Sequence, residues 1–318
     1  MSAEPGRAEV VDATAAPRVR WGAVGAFVAL ALGLAWLVAL PLWLGEGLAS
    51  PLAAPLLTAM MFTPTIAALI VVFAFRAPRA GRLRFLGMWP LRPAGRFVLF
   101  LVMGLFAPIL LVAATVAVAA ALGWVRLDLV GFSGFAAQLE AVLPPGTALP
   151  PIGVLVAVQL ASIPIGALVN SIFAAGEELG WRGWLQTALR PLGVWPALLL
   201  TGAIWGLWHA PVILLGYNFG RPDVVGLLLM VGGCLAWGVL LGWMRLRCAS
   251  VWPAVLAHGS LNAVAGAVLL VAAVGPAPDM ALAGPLGVAA WVVLAVVVGV
   301  LALTGQFRRD RLEPVRSA

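Results

Sequence analysis

Long apolar runs, separated by short segments rich in Pro, Gly and Arg, dominate the chain. A helix needs about 20 apolar residues to cross a bilayer. The pattern predicts eight such helices, at approximately 21–43, 52–75, 97–122, 157–189, 194–216, 224–246, 250–274 and 284–304. Each must be helical because lipid cannot satisfy the hydrogen-bonding groups of an open backbone. The predicted fold is therefore an all-α, polytopic membrane bundle of about eight helices.

Composition supports the membrane prediction. Of the 318 residues, 63% are hydrophobic and 10% are charged, whereas soluble domains are nearer 45–50% and about 25%. Mean hydropathy is +1.08. These values exclude a soluble enzyme, a nucleic-acid-binding module, a collagen and a coiled coil. We expect a polar N-terminal tail at 1–20, one transmembrane domain at 21–304 with a catalytic core at about 157–274, and a basic C-terminal tail at 305–318.

The basic residues predict an orientation. All 19 are arginines, and Arg126 and Arg221 alone fall on one side of the predicted helices. The other 17 are Arg7, Arg18, Arg20, Arg76, Arg79, Arg82, Arg84, Arg92, Arg96, Arg182, Arg190, Arg245, Arg247, Arg308, Arg309, Arg311 and Arg316. Positive charge accumulates on the cytoplasmic side of membrane proteins, so both termini are expected in the cytoplasm. The net charge of +7 then reflects topology, and lipid rather than nucleic acid is the expected partner.

A small set of polar residues lies inside the predicted helices. Ionised groups near the bilayer centre cost about 2.5–3.5 kcal/mol each on insertion scales, so they usually face the protein interior and carry function. Both histidines of the chain belong to the set. Its members are Glu177, Glu178, Arg182, His209, His258 and Asn262. The two cysteines match no ligand pattern and are expected to be free thiols.

Helical spacing relates several of these residues. Glu178 and Arg182 are four residues apart, so they can pair along one helix face. Glu177 is rotated by about 100° from Glu178, which allows one acid to be neutralised while the other faces a cavity. His258 and Asn262 are also four residues apart and share a face.

Depth provides a further expectation. If the fourth helix continues to Leu189, Glu177, His209 and His258 lie about 12 to 22 Å from the inner ends of their helices, at 1.5 Å per residue. The three side chains would then meet near the middle of the membrane.

A carboxylate and two imidazoles on separate helices are suited to two related kinds of chemistry. The carboxylate can act as a general base toward water, with Asn262 as a neutral donor to an oxyanion. Alternatively, Glu177, His209 and His258 can hold Zn²⁺ or another divalent metal with one open position, as in metalloproteases. Both routes lead to hydrolysis of a carbonyl compound, and the need for a cofactor stays open.

Three ordered motifs, Glu-Glu-x3-Arg, Trp-x3-His and His-x3-Asn, resemble the signature of the CPBP family of intramembrane proteases. This family is also called CAAX prenyl protease 2 or Abi-related. The resemblance implies that Glu177 activates water with help from His209. It further implies that His258 and Asn262 orient and stabilise the oxyanion, while Glu178 and Arg182 hold the site. Trp205 stands where the family usually has Phe.

The resemblance also implies a substrate class. Members of the family are endopeptidases that act near a membrane, on prenylated CaaX tails in eukaryotes. The Arg-rich, Lys-free composition is typical of a high-GC bacterial genome, in which such tails are not expected, and bacterial relatives are linked to bacteriocin maturation or self-immunity. We therefore expect a multi-pass protein of a bacterial plasma (inner) membrane that acts on an unidentified peptide or protein.

Other functions use some of the same residues. Gly131, Ser133 and Gly134 form a GxSG string that could define a serine protease with His258 as base. The string lies in a predicted external loop and leaves both glutamates unexplained. A proton-coupled transporter and a non-catalytic immunity protein are the remaining alternatives. The HExxH and intramembrane GxGD motifs of other membrane proteases are absent.

Overall fold

A computed structural model describes residues 18–313 and 315. The predicted N-terminal tail lies outside the described residues except for 18–20, and so do Arg7 and Arg316. Within the described residues the chain is helical apart from its connections and one isolated bridge between Leu127 and Ala272. This confirms the all-α, polytopic membrane fold.

Eight principal helices follow one another along the chain. They are α1 (Trp21–Leu44), α2 (Ala53–Ala74), α3 (Ala94–Ala121), α4 (Ile152–Leu192), α5 (Val194–Trp208), α6 (Val224–Cys248), α7 (Trp252–Val271) and α8 (Met280–Leu303). Short helical segments in the connections are Gly47–Ala49, Arg82–Phe85, Ser133–Val142, Ala210–Ile213 and Arg309–Arg311. Among the described residues, seven helices are long and apolar enough to cross a membrane, and α5 is the exception.

The short α5 corrects the prediction of eight spanning helices. Within the predicted segment 194–216 the continuous helix ends at Trp208, after 15 residues, and a separate short turn follows at Ala210–Ile213. Pro211 has no N–H for the carbonyl of Leu207, so the helix cannot continue in register. At about 1.5 Å per residue α5 is about 22 Å long, less than the roughly 30 Å of a hydrocarbon core. His209 consequently lies at the end of α5 rather than within it.

Helix α4 extends past the acidic pair, as predicted, and runs 41 residues without interruption. Its C-terminal half contains an unexpected π-helix, Leu179–Leu185, directly after Glu178. Insertions of this kind are rare and often occur at functional sites.

The helices pack in a closed ring. Going round it, α1 contacts α2, then come α4, α7, α3, α8, α6 and α5, and α5 returns to α1; α6 also contacts α7 and α4 across the ring. Glycines allow the closest approaches: a methyl group at Gly180 would lie 2.5 Å from Pro64 of α2, and one at Gly206 would lie 2.5 Å from Val231 of α6. Small residues at such positions are typical of membrane-helix interfaces.

Hydrogen bonds between the connections group the helix ends into two sets, which define two faces of the bundle. The arginine-rich face comprises the connections 75–93 and 249–251, the junction at 193 and the segment 304–313. The arginine-poor face comprises the connections 45–52, 122–151, 209–223 and 272–279. Each face is tied together, for example by an ion pair between Arg221 and Asp279 on the arginine-poor face and by a hydrogen bond from Arg20 to Phe75 on the other.

Candidate active site

A cavity of about 470 Å³ lies inside the ring, between α2, α4, α5, α6, α7 and α8. Its wall brings together five residues singled out from the sequence: Glu177, Trp205, His209, His258 and Asn262. Glu178 and Arg182 lie directly behind this wall, with no exposed surface. Residues of α4, α5 and α7 thus line one cavity.

Glu177 faces the cavity from α4. The indole N–H of Trp205 donates a 2.7 Å hydrogen bond to its Oε2, and the Nε2 atom of His258 lies 4.0 Å from its Oε1. The side chain is 3% exposed. One carboxylate oxygen is thus held by the protein, and the other is directed toward His258.

Glu178 pairs with two partners behind the cavity. Arg182 Nη1 donates to its Oε1 at 2.7 Å, which confirms the predicted pairing along the helix. His258 Nδ1 lies 2.9 Å from the same oxygen. Because a carboxylate only accepts hydrogen bonds, Nδ1 is the donor, and Nε2 therefore points toward Glu177. Glu178 fixes the orientation of His258 in the way that carboxylates commonly orient imidazoles.

Trp205 connects Glu177 with Arg182, the partner of Glu178. Its ring lies under the Arg182 guanidinium, with the Cζ atom 4.2 Å from the ring centroid, while its N–H holds Glu177. Cation–π stacking of this kind contributes more when it is desolvated. The tryptophan therefore supplies a hydrogen-bond donor that a phenylalanine at this position would lack.

His209 is oriented by its own helix. Its Nδ1 lies 2.9 Å from the backbone oxygen of Trp205, one turn earlier in the chain. Since a carbonyl only accepts, Nδ1 carries the proton, and Nε2 keeps a lone pair. The Cys234 Sγ lies 3.9 Å from Nδ1. Cys234 and Cys248 are both free and buried, as expected.

The cavity contains polar residues that sequence reasoning missed. Asn170 and Tyr217, the single tyrosine of the chain, line it together with Asn262. The spacing of Asn170, seven residues before Glu177, places both on one face of α4 and was a usable signal. No pattern in the sequence indicated Tyr217, because it lies in the connection after α5.

The donor set does not form a ready metal site. Within the part of the chain that the structure describes, no group of three or more His, Cys, Asp or Glu side chains is placed to hold a metal ion. Trp205 occupies one oxygen of Glu177. Nδ1 of each histidine is engaged by an acceptor, an arrangement that metal-ligating imidazoles also have and that leaves Nε2 available. It is the spacing that does not fit a metal, because Glu177, His209 and His258 are not grouped closely enough to share one, and we derive no step through one.

The GxSG string has a structural role in the connection between α3 and α4. Ser133 Oγ accepts from the backbone N–H of Val274 and hydrogen-bonds to Asp128. Asp128 also accepts from the backbone amides of Gly131 and Ser133. These hydrogen bonds lower the pKa of Asp128 to about 2; the one from the Ser133 hydroxyl has the largest effect, and those from the two amides add to it. Ser133 is engaged in shaping this loop and is not among the residues that line the cavity with His258.

Comparison with known proteins identifies the same part of the chain. Residues 159–264 match the model of the type II CAAX prenyl endopeptidase Rce1-like family. A protein of Methanococcus maripaludis described as CAAX prenyl protease 2 is 31% identical over 96 residues, which are 28% of this chain and 35% of that protein. The chain thus matches about a third of this relative's length. The segment 159–264 contains all three motifs, so the family resemblance inferred from them is confirmed over this segment.

Proposed function

We propose that the protein is an intramembrane endopeptidase that hydrolyses a membrane-proximal peptide bond with a water activated by Glu177. The observation that carries the proposal is the 4.0 Å approach of Glu177 to His258 at the wall of a cavity inside the bundle. The family match over the same residues supports peptide hydrolysis in particular.

In the proposed reaction, Glu177 Oε1 accepts a proton from water as the water oxygen bonds to the scissile carbonyl carbon. Trp205 keeps Oε2 in place, so the carboxylate does not rotate away from the water. The lone pair on His209 Nε2 helps to position the same water. General base assistance of this kind contributes about 10²–10⁴-fold to the rate.

The carbonyl oxygen becomes negatively charged in the tetrahedral intermediate. The side-chain amide of Asn262, one turn after His258 on α7, donates a hydrogen bond to this oxygen. His258 helps to orient the same oxyanion. When the C–N bond breaks, Glu177 returns its proton to the leaving amine, so atoms and charge balance. Preorganised donors are effective because they need no reorganisation as the charge develops.

We further propose that the protein lies in a bacterial plasma membrane with both termini in the cytoplasm, on the basis of the arginine asymmetry. The transport and immunity hypotheses rest on the same buried residues. The family match favours neither of them over hydrolysis.

Glu177→Gln tests the proposal directly. Membranes containing the wild type or the variant are compared for peptides released from membrane proteins, and the purified proteins are assayed in detergent with a library of quenched fluorogenic peptides. We expect Glu177→Gln to lose at least about 10²-fold in turnover, because an amide cannot accept the proton from water. Glu140→Gln, an equal change at an exposed glutamate in the connection 122–151, serves as the matched control. Unchanged turnover in Glu177→Gln contradicts the proposed mechanism.

A further inference from the structure

The cavity lies to one side of Glu177. Asn170, seven residues earlier on α4, lines it, whereas α4 residues after Glu177 do not. The other walls come from the ends of helices and connections at the arginine-poor face. These wall residues are Ala54, Leu57 and Thr58 at the start of α2; Tyr217, Asn218 and Phe219 after α5; and Met280, Pro285 and Leu286 at the start of α8.

The opposite side is closed by packed protein. Every residue from 180 to 190 in α4 and from 237 to 246 in α6 is buried. In this region Trp184 stacks on Phe27 and Trp181 contacts the same ring edge to face. In the described part of the chain, no residue of the arginine-rich connections lines the cavity.

We infer that substrate reaches Glu177 only from the arginine-poor face. This inference rests on the proposed function. Combined with the orientation expected from the arginines, it makes the substrate a peptide segment on the non-cytoplasmic side of the membrane, either an exported chain or the outward juxtamembrane part of a membrane protein. A cytoplasmic tail has no path to the site.

The geometry also sets a minimum length for the substrate. Asn170 lies about 10 Å from Glu177 along α4, at 1.5 Å per residue. An extended chain advances about 3.3 Å per residue. At least about three extended residues must therefore enter the cavity before a peptide bond reaches the carboxylate, which requires an unfolded segment rather than a folded surface loop.

Single cysteines test the access path without any substrate. Ala54→Cys lies at the mouth, Ala265→Cys lies in the cavity wall, and Ala80→Cys is an equal, exposed change in the arginine-rich connection 75–93. The two native cysteines are buried, and the unmodified protein controls for them. A membrane-impermeant maleimide is applied to intact cells and to inside-out membrane vesicles.

We expect Ala54→Cys and Ala265→Cys to be modified in intact cells and Ala80→Cys only in inside-out vesicles. Modification of Ala265→Cys from the cytoplasmic side, its modification from neither side, or modification of Ala80→Cys in intact cells would overturn the inference. Quenched peptides should be cleaved when they are added to intact cells and not when they are added to inside-out vesicles. The expected labelling without any cleavage by the purified protein would support the access path and contradict the proposed function, so the two failures are distinguishable.

Discussion

Two buried carboxylate–arginine pairs lie in this bundle and differ in their surroundings. Glu178 and Arg182 pair within α4, and Arg245 of α6 pairs with Glu313 near the C-terminus. Both pairs are 2.7 Å long, and their side chains are at most 2% exposed. Distance and burial therefore do not distinguish them.

The residues around the two ion pairs distinguish them. Arg245 Nη2 also lies 3.3 Å from the Phe85 carbonyl and 3.5 Å from the Thr187 hydroxyl, and Arg190 donates to the backbone oxygen of Glu313. This pair joins four segments at the arginine-rich face: α6, α4, the connection 75–93 and the segment 304–313. Glu178 instead accepts from His258, which faces a second carboxylate across a cavity. A buried ion pair indicates chemistry only where a titratable neighbour and space for a reactant accompany it.

The largest effect on stability is expected from Arg245→Met. Removing one partner of a buried pair typically costs about 3–5 kcal/mol, because the remaining charge loses its compensation. We expect a loss of this size in the free energy of unfolding, measured by denaturant titration in detergent, with turnover per folded molecule unchanged. The double variant Arg245→Met with Glu313→Leu should regain most of the loss. Equal destabilisation of the single and double variants would argue against a charge effect.

Equal substitutions in the two pairs separate stability from catalysis. Glu178→Gln can present an amide N–H to His258 Nδ1 and reverse its tautomer, a change that costs about 10⁴-fold in a serine protease triad. We expect Glu178→Gln to lower kcat by about 10²-fold or more, and Glu313→Gln to leave kcat of the folded protein unchanged. Similar kcat values for the two variants would show that Glu178 is structural only.

Trp205→Phe removes one hydrogen bond and retains an aromatic ring. Hydrogen bonds to charged groups contribute about 1.5–3 kcal/mol, so we expect kcat to fall by about tenfold or more while KM changes little. Trp184→Phe is the matched control, since this buried indole donates to the Ala77 carbonyl away from the cavity. The hypothesis that Trp205 positions Glu177 fails if KM rises and kcat does not change, or if Trp184→Phe lowers kcat equally.

The smallest effect is expected at Asp128. Its pKa is lowered from 3.8 to about 2 by hydrogen bonds that its ionised form accepts. These bonds stabilise the loop above about pH 4 and are lost as the pH falls toward 2. In hydrogen exchange, the amides of Gly131 and Ser133 should lose protection over this range, after correction for the intrinsic exchange rate. Asp128→Asn should exchange faster at neutral pH and show little of this dependence.

Sequence reasoning reached the membrane class, the helix positions and the Glu178–Arg182 pair. These follow from the hydrophobic period and from spacing along one helix, which are local properties. The end of α5 was also encoded locally, since Pro211 cannot donate to Leu207, but hydropathy alone did not reveal it. The roles of Glu177, His209, His258 and Asn262 stay predictions until the variants are assayed.

Only the tertiary structure decided which helices meet. Chain order does not specify the order of the ring, so the contacts of His258 with Glu178 and of Trp205 with Glu177, 80 and 28 residues apart, could not be derived from spacing. The same holds for Arg245 and Glu313, 68 residues apart. The physical reason is that a residue's position on its helix follows from local periodicity, whereas the neighbour of that helix, and the side on which a cavity opens, depend on how all eight helices pack together.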